Sequence, residues 1–290
     1  MGRQDILFNL KGEETMKFLH ISDLHFHRDQ NDNTEAIHVL ETIKHRYPNH
    51  MLIVTGDITD DGHELQYENA FKALEPFKGG VFIAPGNHDF GAAGTYYSYE
   101  RALRFDEMLS KPLKQGGTFT GDATPVVNIV GEPGKQVMLI ALDTNLETDH
   151  PFDFACGEVG KTQLSFLETL LNASTSKKMQ KILFFHHHPF VRNDPFMEMI
   201  DARQLMRVIF YKVDVVLFGH KHVSGKWKKV HGIQYILASD NTPGKDYARE
   251  ISITDLKIEV NDVDIKPKVV NRNSKMRRKK KESLIDKIGQ

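Results

Sequence analysis

Five short polar blocks in this 290-residue chain carry metal-binding types of side chain, and each one follows an apolar run. "KFLHIS" leads to Asp23-Leu24-His25, "LIVT" to Gly56-Asp57-Ile58-Thr59-Asp60, and "VFIAP" to Gly86-Asn87-His88-Asp89. "KILFF" leads to His186-His187-His188, and "VVLF" to Gly219-His220-Lys221-His222. Taken singly, each block has an ordinary reading as a turn or a surface pair. Jointly that reading fails, because it needs five unrelated loops to carry ligand-type residues at equivalent places. Carboxylate, imidazole and amide oxygen without thiolate suit borderline or hard cations such as Mn, Fe or Zn. A carboxylate can bridge two such ions roughly 3.5 to 4 Å apart, which clamps a phosphoryl group and lowers the pKa of a bound water for in-line attack. Phosphate esters are among the slowest compounds to hydrolyse unaided, so this is chemistry that they require.

The apolar runs explain how the blocks meet. "KFLHIS", "MLIVTG", "GVFIAPG", "QVMLIAL", "KILFFH" and "VDVVLFG" are continuous and rich in β-branched or aromatic residues, as strands buried on both faces are. Between them, "TEAIHVLETIKHRY", "ELQYENAFKALEPF", "SYERALRFDEML", "VGKTQLSFLETLL" and "DARQLMRVIFYK" have helical spacing; Ile37, Leu40 and Ile43 lie on one face, as do Leu164, Leu167 and Leu171. After His222 the helices stop, and "VSGKWKKV", "IQYILAS", "REISIT" and "LKIEVND" read as an antiparallel group added to the first sheet, with Ile251, Ile253, Leu256, Ile258 and Val260 alternating across a hairpin. The expected fold is therefore α/β, a layered αββα sandwich of two mixed sheets flanked by helices. Strand carboxyl ends in such sheets converge on one crevice, so the five blocks should share a site.

Composition bounds the rest. The body, residues 16–265, is expected to be one catalytic domain, with an N-terminal extension over 1–15 and a basic tail over 266–290. Residues 266–281 hold nine Lys or Arg and no acid, leaving 29 basic against 39 acidic residues elsewhere. An acidic body disfavours a long polyanion as substrate, whereas the tail keeps nucleic acid open as a partner. The single cysteine, Cys156, excludes an intramolecular disulfide and a zinc ribbon and favours a cytoplasmic setting. No run approaches the roughly 18 apolar residues of a membrane span.

The five blocks, in order, resemble the signature of the calcineurin-like metallophosphoesterases: D-L-H, G-D-I-T-D, G-N-H-D, H-H-P and G-H-K-H, from Asp23 to His222. The resemblance implies a pair of divalent or trivalent ions in which Asp57 bridges. Asp23, His25 and His222 would complete one ion, and Asn87, His220 and a histidine of the triplet the other. In that family the histidine usually stands two places before the proline, which gives His187, with His186 as the alternative. His88 is then a phosphate contact and proton donor to the leaving group, with Asp89 orienting it. Arg192 follows the triplet and is a candidate for a phosphoryl oxygen, although it and Arg28 would serve equally in surface ion pairs.

The segment from Leu142 to Leu171 further resembles the class III cyclic-nucleotide phosphodiesterase branch. The implied activity is hydrolysis of a phosphodiester, a cyclic nucleotide or similar small diester, by attack of metal-bound hydroxide. The alternatives are a DNA or RNA nuclease, a phosphomonoesterase, and a non-catalytic metal-bound scaffold; the last is disfavoured because no signature ligand is missing.

Overall fold

The computed structural model describes residues 15–267 apart from 93, 122, 146–154, 174, 176–177, 195 and 255–256. Nearly all of the expected N-terminal extension and basic tail, and Leu256 of the expected hairpin, lie outside the described residues. In chain order the strands are β1 (Met16–Ile21), β2 (Met51–Thr55), β3 (Val81–Ala84), β4 (Gly91–Ala92), β5 (Tyr96–Tyr97), β6 (Val126–Val130), β7 (Val137–Ala141), β8 (Gln180–Phe184), β9 (Val215–Phe218), β10 (Gly225–Val230), β11 (Ile233–Ala238), β12 (Tyr247–Ile253) and β13 (Ile258–Asp264). The α-helices are α1 (Thr34–Arg46), α2 (Glu64–Leu74), α3 (Asn87–Phe90), α4 (Tyr99–Phe105), α5 (Lys161–Asn172) and α6 (Ala202–Ile209).

Two large mixed sheets form, in the strand orders β13-β12-β1-β2-β3 and β10-β11-β9-β8-β7-β6. β1, β2 and β3 run parallel, as do β7, β8, β9 and β11. In the second sheet, alternate residues face different neighbours. Ile182, Phe184, Val215 and Leu217 pack with residues of the first sheet, whereas Leu183, Phe185, Val216 and Phe218 pack with Leu167 and Leu171 of α5 and Leu205 and Ile209 of α6. Both faces are thus buried, which is why these strands are apolar throughout. α1 buries Ala36, Val39, Leu40 and Ile43, a helical stripe in the same core as the first sheet.

The layered α/β architecture is as expected, but the placement of two of the last four strands differs. β12 and β13 do extend the first sheet, with Ile253 opposite Ile258 and Ile251 opposite Val260. β10 and β11 extend the second sheet instead, and β11 lies parallel to β9 with Leu237 opposite Leu217. The two-residue turn His231-Gly232, in which both residues have positive φ (+44° and +82°), is the backbone of a tight hairpin that pairs β10 with β11 and leaves β10 at the sheet edge. Lys226, Lys228 and Lys229 then blunt the exposed edge strand. β6, with its alternating burial, and the small β4–β5 pair are elements that the sequence pattern did not single out. Among the described residues no helix is long and apolar enough to cross a membrane.

Candidate metal centre

The five blocks meet where the two sheets face each other. The loop after β1 runs beside the loop after β2, with Asp23 N donating to Gly56 O (3.0 Å), His25 N to Asp57 O (2.9 Å) and Phe26 N to Ile58 O (2.8 Å). Ser22 Oγ, from the same sheet, and His186 Nδ1, from across the sheets, both donate to the Thr55 carbonyl, at 2.9 and 2.8 Å. The backbone turns sharply at these strand ends. Asp23 (φ +54°), His25 (+46°), Asp57 (+48°), His220 (+76°) and His222 (+51°) all lie in the left-handed region. That conformation costs a non-glycine residue roughly 1–2 kcal/mol, and such strain gathers at functional sites. Two glycines allow the close approach: a Cβ on Gly56 would stand 2.5 Å from His186 Nδ1, and one on Gly86 would stand 2.2 Å from Asp57 Oδ1.

Two donor groups result, sharing Asp57. In the first, His222 Nε2 is 3.2 Å from Asp23 Oδ1 and 3.4 Å from His25 Nε2. In the second, His186 Nε2 lies 3.2 Å from Asp57 Oδ2, 3.1 Å from Asn87 Oδ1 and 3.1 Å from His220 Nδ1. The amide of Asn87 is oriented by its own Nδ2, which donates to Gly94 O at 2.9 Å, so its oxygen faces the group. Asp57 Oδ2 is also 3.9 Å from His25 Nε2, and its carboxylate therefore stands between the two groups.

The charges in this space fit cations. Asp23 and Asp57 are 0% and 2% exposed, and an ionised carboxylate at such depth needs a positive partner. Burial would favour neutral imidazole at His186, but the charge and hydrogen bond of Asp57 push it up to about 9. Burial would also raise Asp57, yet His186 beside it holds its carboxyl well below the usual range. His220 is pushed down to about 3 by burial and by the neighbouring His186. In the protein alone, a proton on His186 answers the carboxylate. A cation can take that place, since a ligand imidazole must be neutral, and metal binding then releases the proton.

Of the expected ligands, the structure brings Asp23, His25, Asp57, Asn87, His220 and His222 together, and from the triplet it brings His186. His187 is fully buried with its ring 4.6 Å from that of His220, but it joins neither donor group: its Nδ1 pairs with Thr144 Oγ1 at 2.8 Å, and its Nε2 has no partner among the described residues. His188 packs its ring against Phe218 with 4.7 Å between centroids. His88 lies at the group's edge, its ring 4.8 Å from that of His25. Asp89 does not touch that ring. It accepts instead from Gly86 N (2.9 Å), Ile58 N (3.2 Å), Thr59 N (2.8 Å) and Thr59 Oγ1 (2.9 Å), tying the loop after β2 to the loop after β3. The carbonyl of Asp60 is what receives His88 Nδ1, at 2.6 Å. Arg192 is exposed, and Arg28 pairs with Asp61 at 2.7 Å. The Thr55 carbonyl and Thr144 are orienting groups that the motif pattern did not reveal.

A family model described as calcineurin-like phosphoesterase matches residues 16–224. A 3',5'-cyclic adenosine monophosphate phosphodiesterase of Escherichia coli K12 is 26% identical over 226 residues, covering 73% of this chain and 72% of that protein. A probable cyclic nucleotide phosphodiesterase of Coxiella burnetii is 24% identical over 221 residues, covering 72% and 77%. Among solved structures, a dimetal phosphatase from Danio rerio matches with a TM-score of 0.59 at 15% identity over 87% of this chain and 99% of that one, a likeness of fold.

The bonds of Asp89 generate a stability prediction. Asp89→Asn puts an amide NH2 against two of the four donors, and should lower unfolding free energy by about 2–3 kcal/mol in denaturant titration. Wild-type stability in that variant would show that the two loops do not depend on this carboxylate.

Proposed function

The chain belongs to the calcineurin-like phosphoesterase family and is a phosphoric ester hydrolase, and from that premise we propose that it is a dinuclear metal-dependent phosphodiesterase acting on a cyclic nucleotide or another small diester. The observation that carries the dinuclear reading is the position of Asp57, with Oδ2 3.2 Å from His186 and 3.9 Å from His25, between two sets of donors. Asp23, His25 and His222 would hold one ion and Asn87, His186 and His220 the other, with Asp57 shared; His186 takes the role that the motif spacing suggested for His187. The donor set suits Mn, Fe or Zn. Similarity to proteins named as cyclic nucleotide phosphodiesterases supports the substrate class, as does an acidic body that repels long polyanions.

Divalent ions in these positions would neutralise the charge of the phosphoryl group and make water a competent nucleophile near neutral pH. The protein's own residues arrange the remainder. His88 is fixed at two points, its backbone N donating to Asp57 Oδ1 at 3.0 Å and its Nδ1 to the Asp60 carbonyl at 2.6 Å. With Nδ1 committed as a donor, Nε2 is the nitrogen that can carry a proton to a departing ester oxygen. A general acid matters most for a poor leaving group such as a ribose alkoxide. The Thr55 carbonyl holds His186 by Nδ1, leaving Nε2 for the shared space.

Ligand assignment within the triplet is checked by elemental analysis of Mn-loaded protein. His186→Ala should lose about one ion per chain, whereas His187→Ala should retain both; the reverse order would return the role to His187. The activity itself is tested by hydrolysis of cyclic nucleotides, nucleoside monophosphates and bis(4-nitrophenyl) phosphate side by side. The diesters should turn over, and His88→Ala should lose on the order of 10²-fold more rate on the ribose diester than on the nitrophenyl diester. Turnover of monoesters alone would contradict the diesterase reading.

A further inference from the structure

Two imidazole nitrogens beside the metal centre are buried without a hydrogen-bond partner among the described residues, Nε2 of His220 and Nε2 of His187. Their rings are neighbours, with 4.6 Å between centroids and planes tilted by 48°, a separation at which an edge nitrogen of one ring can reach the other. Neither nitrogen is the one that its ring has already committed. His220 turns Nδ1 toward His186 Nε2 at 3.1 Å, and His187 turns Nδ1 toward Thr144 Oγ1 at 2.8 Å. A polar atom left unpaired at such depth is costly.

A bound ion dictates the hydrogen positions that would pair them. A cation on His220 Nδ1 takes that lone pair, which leaves the proton of the neutral ring on Nε2 and makes this buried nitrogen a donor. Ligand imidazoles characteristically give their second N–H to an acceptor, which fixes the ring. The Thr55 carbonyl does this for His186, accepting its Nδ1 at 2.8 Å. On the far side of His187, Thr144 Oγ1 also accepts from the His187 backbone N at 3.3 Å, so an acceptor oxygen is turned toward that residue. With Nδ1–H donating to the same oxygen, His187 Nε2 carries a bare lone pair, the acceptor that His220 needs.

We propose that His187 is a positioning residue for the ion of the Asn87, His186 and His220 group, accepting the Nε2–H of metal-bound His220 while its own Nδ1–H is held by Thr144. The inference rests on the dinuclear reading and deepens it. It gives the second histidine of the triplet a task other than ligation: one histidine supplies a ligand, and the next restrains a ligand from the neighbouring loop. Thr144 lies just beyond β7, so the restraint ties that ion to a further strand end.

The test is titration of the metal-free full chain with Mn, together with 1H–15N spectra of Zn-loaded protein labelled at histidine. Wild type should take up two ions and hold His187 in the Nδ1–H form. His187→Phe, which keeps a ring but no acceptor, and Thr144→Val should each still reach two ions in excess Mn but bind one of them at least about tenfold more weakly. Thr144→Ser, which keeps the hydroxyl, should retain wild-type affinity, and so separates loss of the hydrogen bond from a packing defect. Wild-type affinity in His187→Phe or in Thr144→Val, a Thr144→Ser variant as weak as Thr144→Val, or a proton on His187 Nε2 overturns the proposal. So does a limit of one ion in His187→Phe, which would make His187 a ligand. Failure of the dinuclear reading looks different, because wild type itself would then bind fewer than two ions.

Discussion

Two carboxylates, Asp23 and Asp57, are buried at the ends of adjacent parallel strands, and the neighbourhood is arranged around the need to balance their charge. A lone buried carboxylate is costly enough that it normally protonates or finds a partner. Here burial and the charge of Asp57 push Asp89 up to about 6. Asp57 itself stays ionised because His186 is held against it. Once positive charge is required at that place, imidazoles on both sides of Asp57 and an amide oxygen beside it make a cation the natural occupant.

The architecture exists to bring those groups together. Parallel strands end on one side, and the left-handed turns at Asp23, His25, Asp57, His220 and His222, in three of the five loops, swing side chains into a common space. Such turns strain non-glycine residues and persist only where the surroundings over-determine them. The loop-to-loop hydrogen bonds from Asp23, His25 and Phe26, together with the clamp of Asp89, provide that determination. Stability is thus spent on geometry, and the apolar layers between and outside the sheets supply it.

Much of this was legible in the sequence, because apolar runs ending in Asp, Asn and His encode both a strand and the place where its chain turns. The register of the triplet was legible only with a further step. Ile182 and Phe184 face the first sheet, Leu183 and Phe185 face α5 and α6, and the alternation continues past the strand to turn His186 toward Asp57 and His187 toward Thr144. Counting back from the proline misses that constraint. The role of Asp89 was not legible, since only the spatial meeting of two loops shows that it ties them together while the Asp60 carbonyl receives His88. The same holds for β10 and β11, whose alternation specifies strands but not the sheet that they join.

The central claim, that Asp57 is the shared carboxylate of a two-ion centre, is tested most directly by the metal content of Asp57→Asn. After loading with Mn and removal of excess, wild type should hold about two ions per chain, and the variant, whose neutral amide cannot bridge, at most about one. A variant that keeps two ions with wild-type affinity would contradict the account.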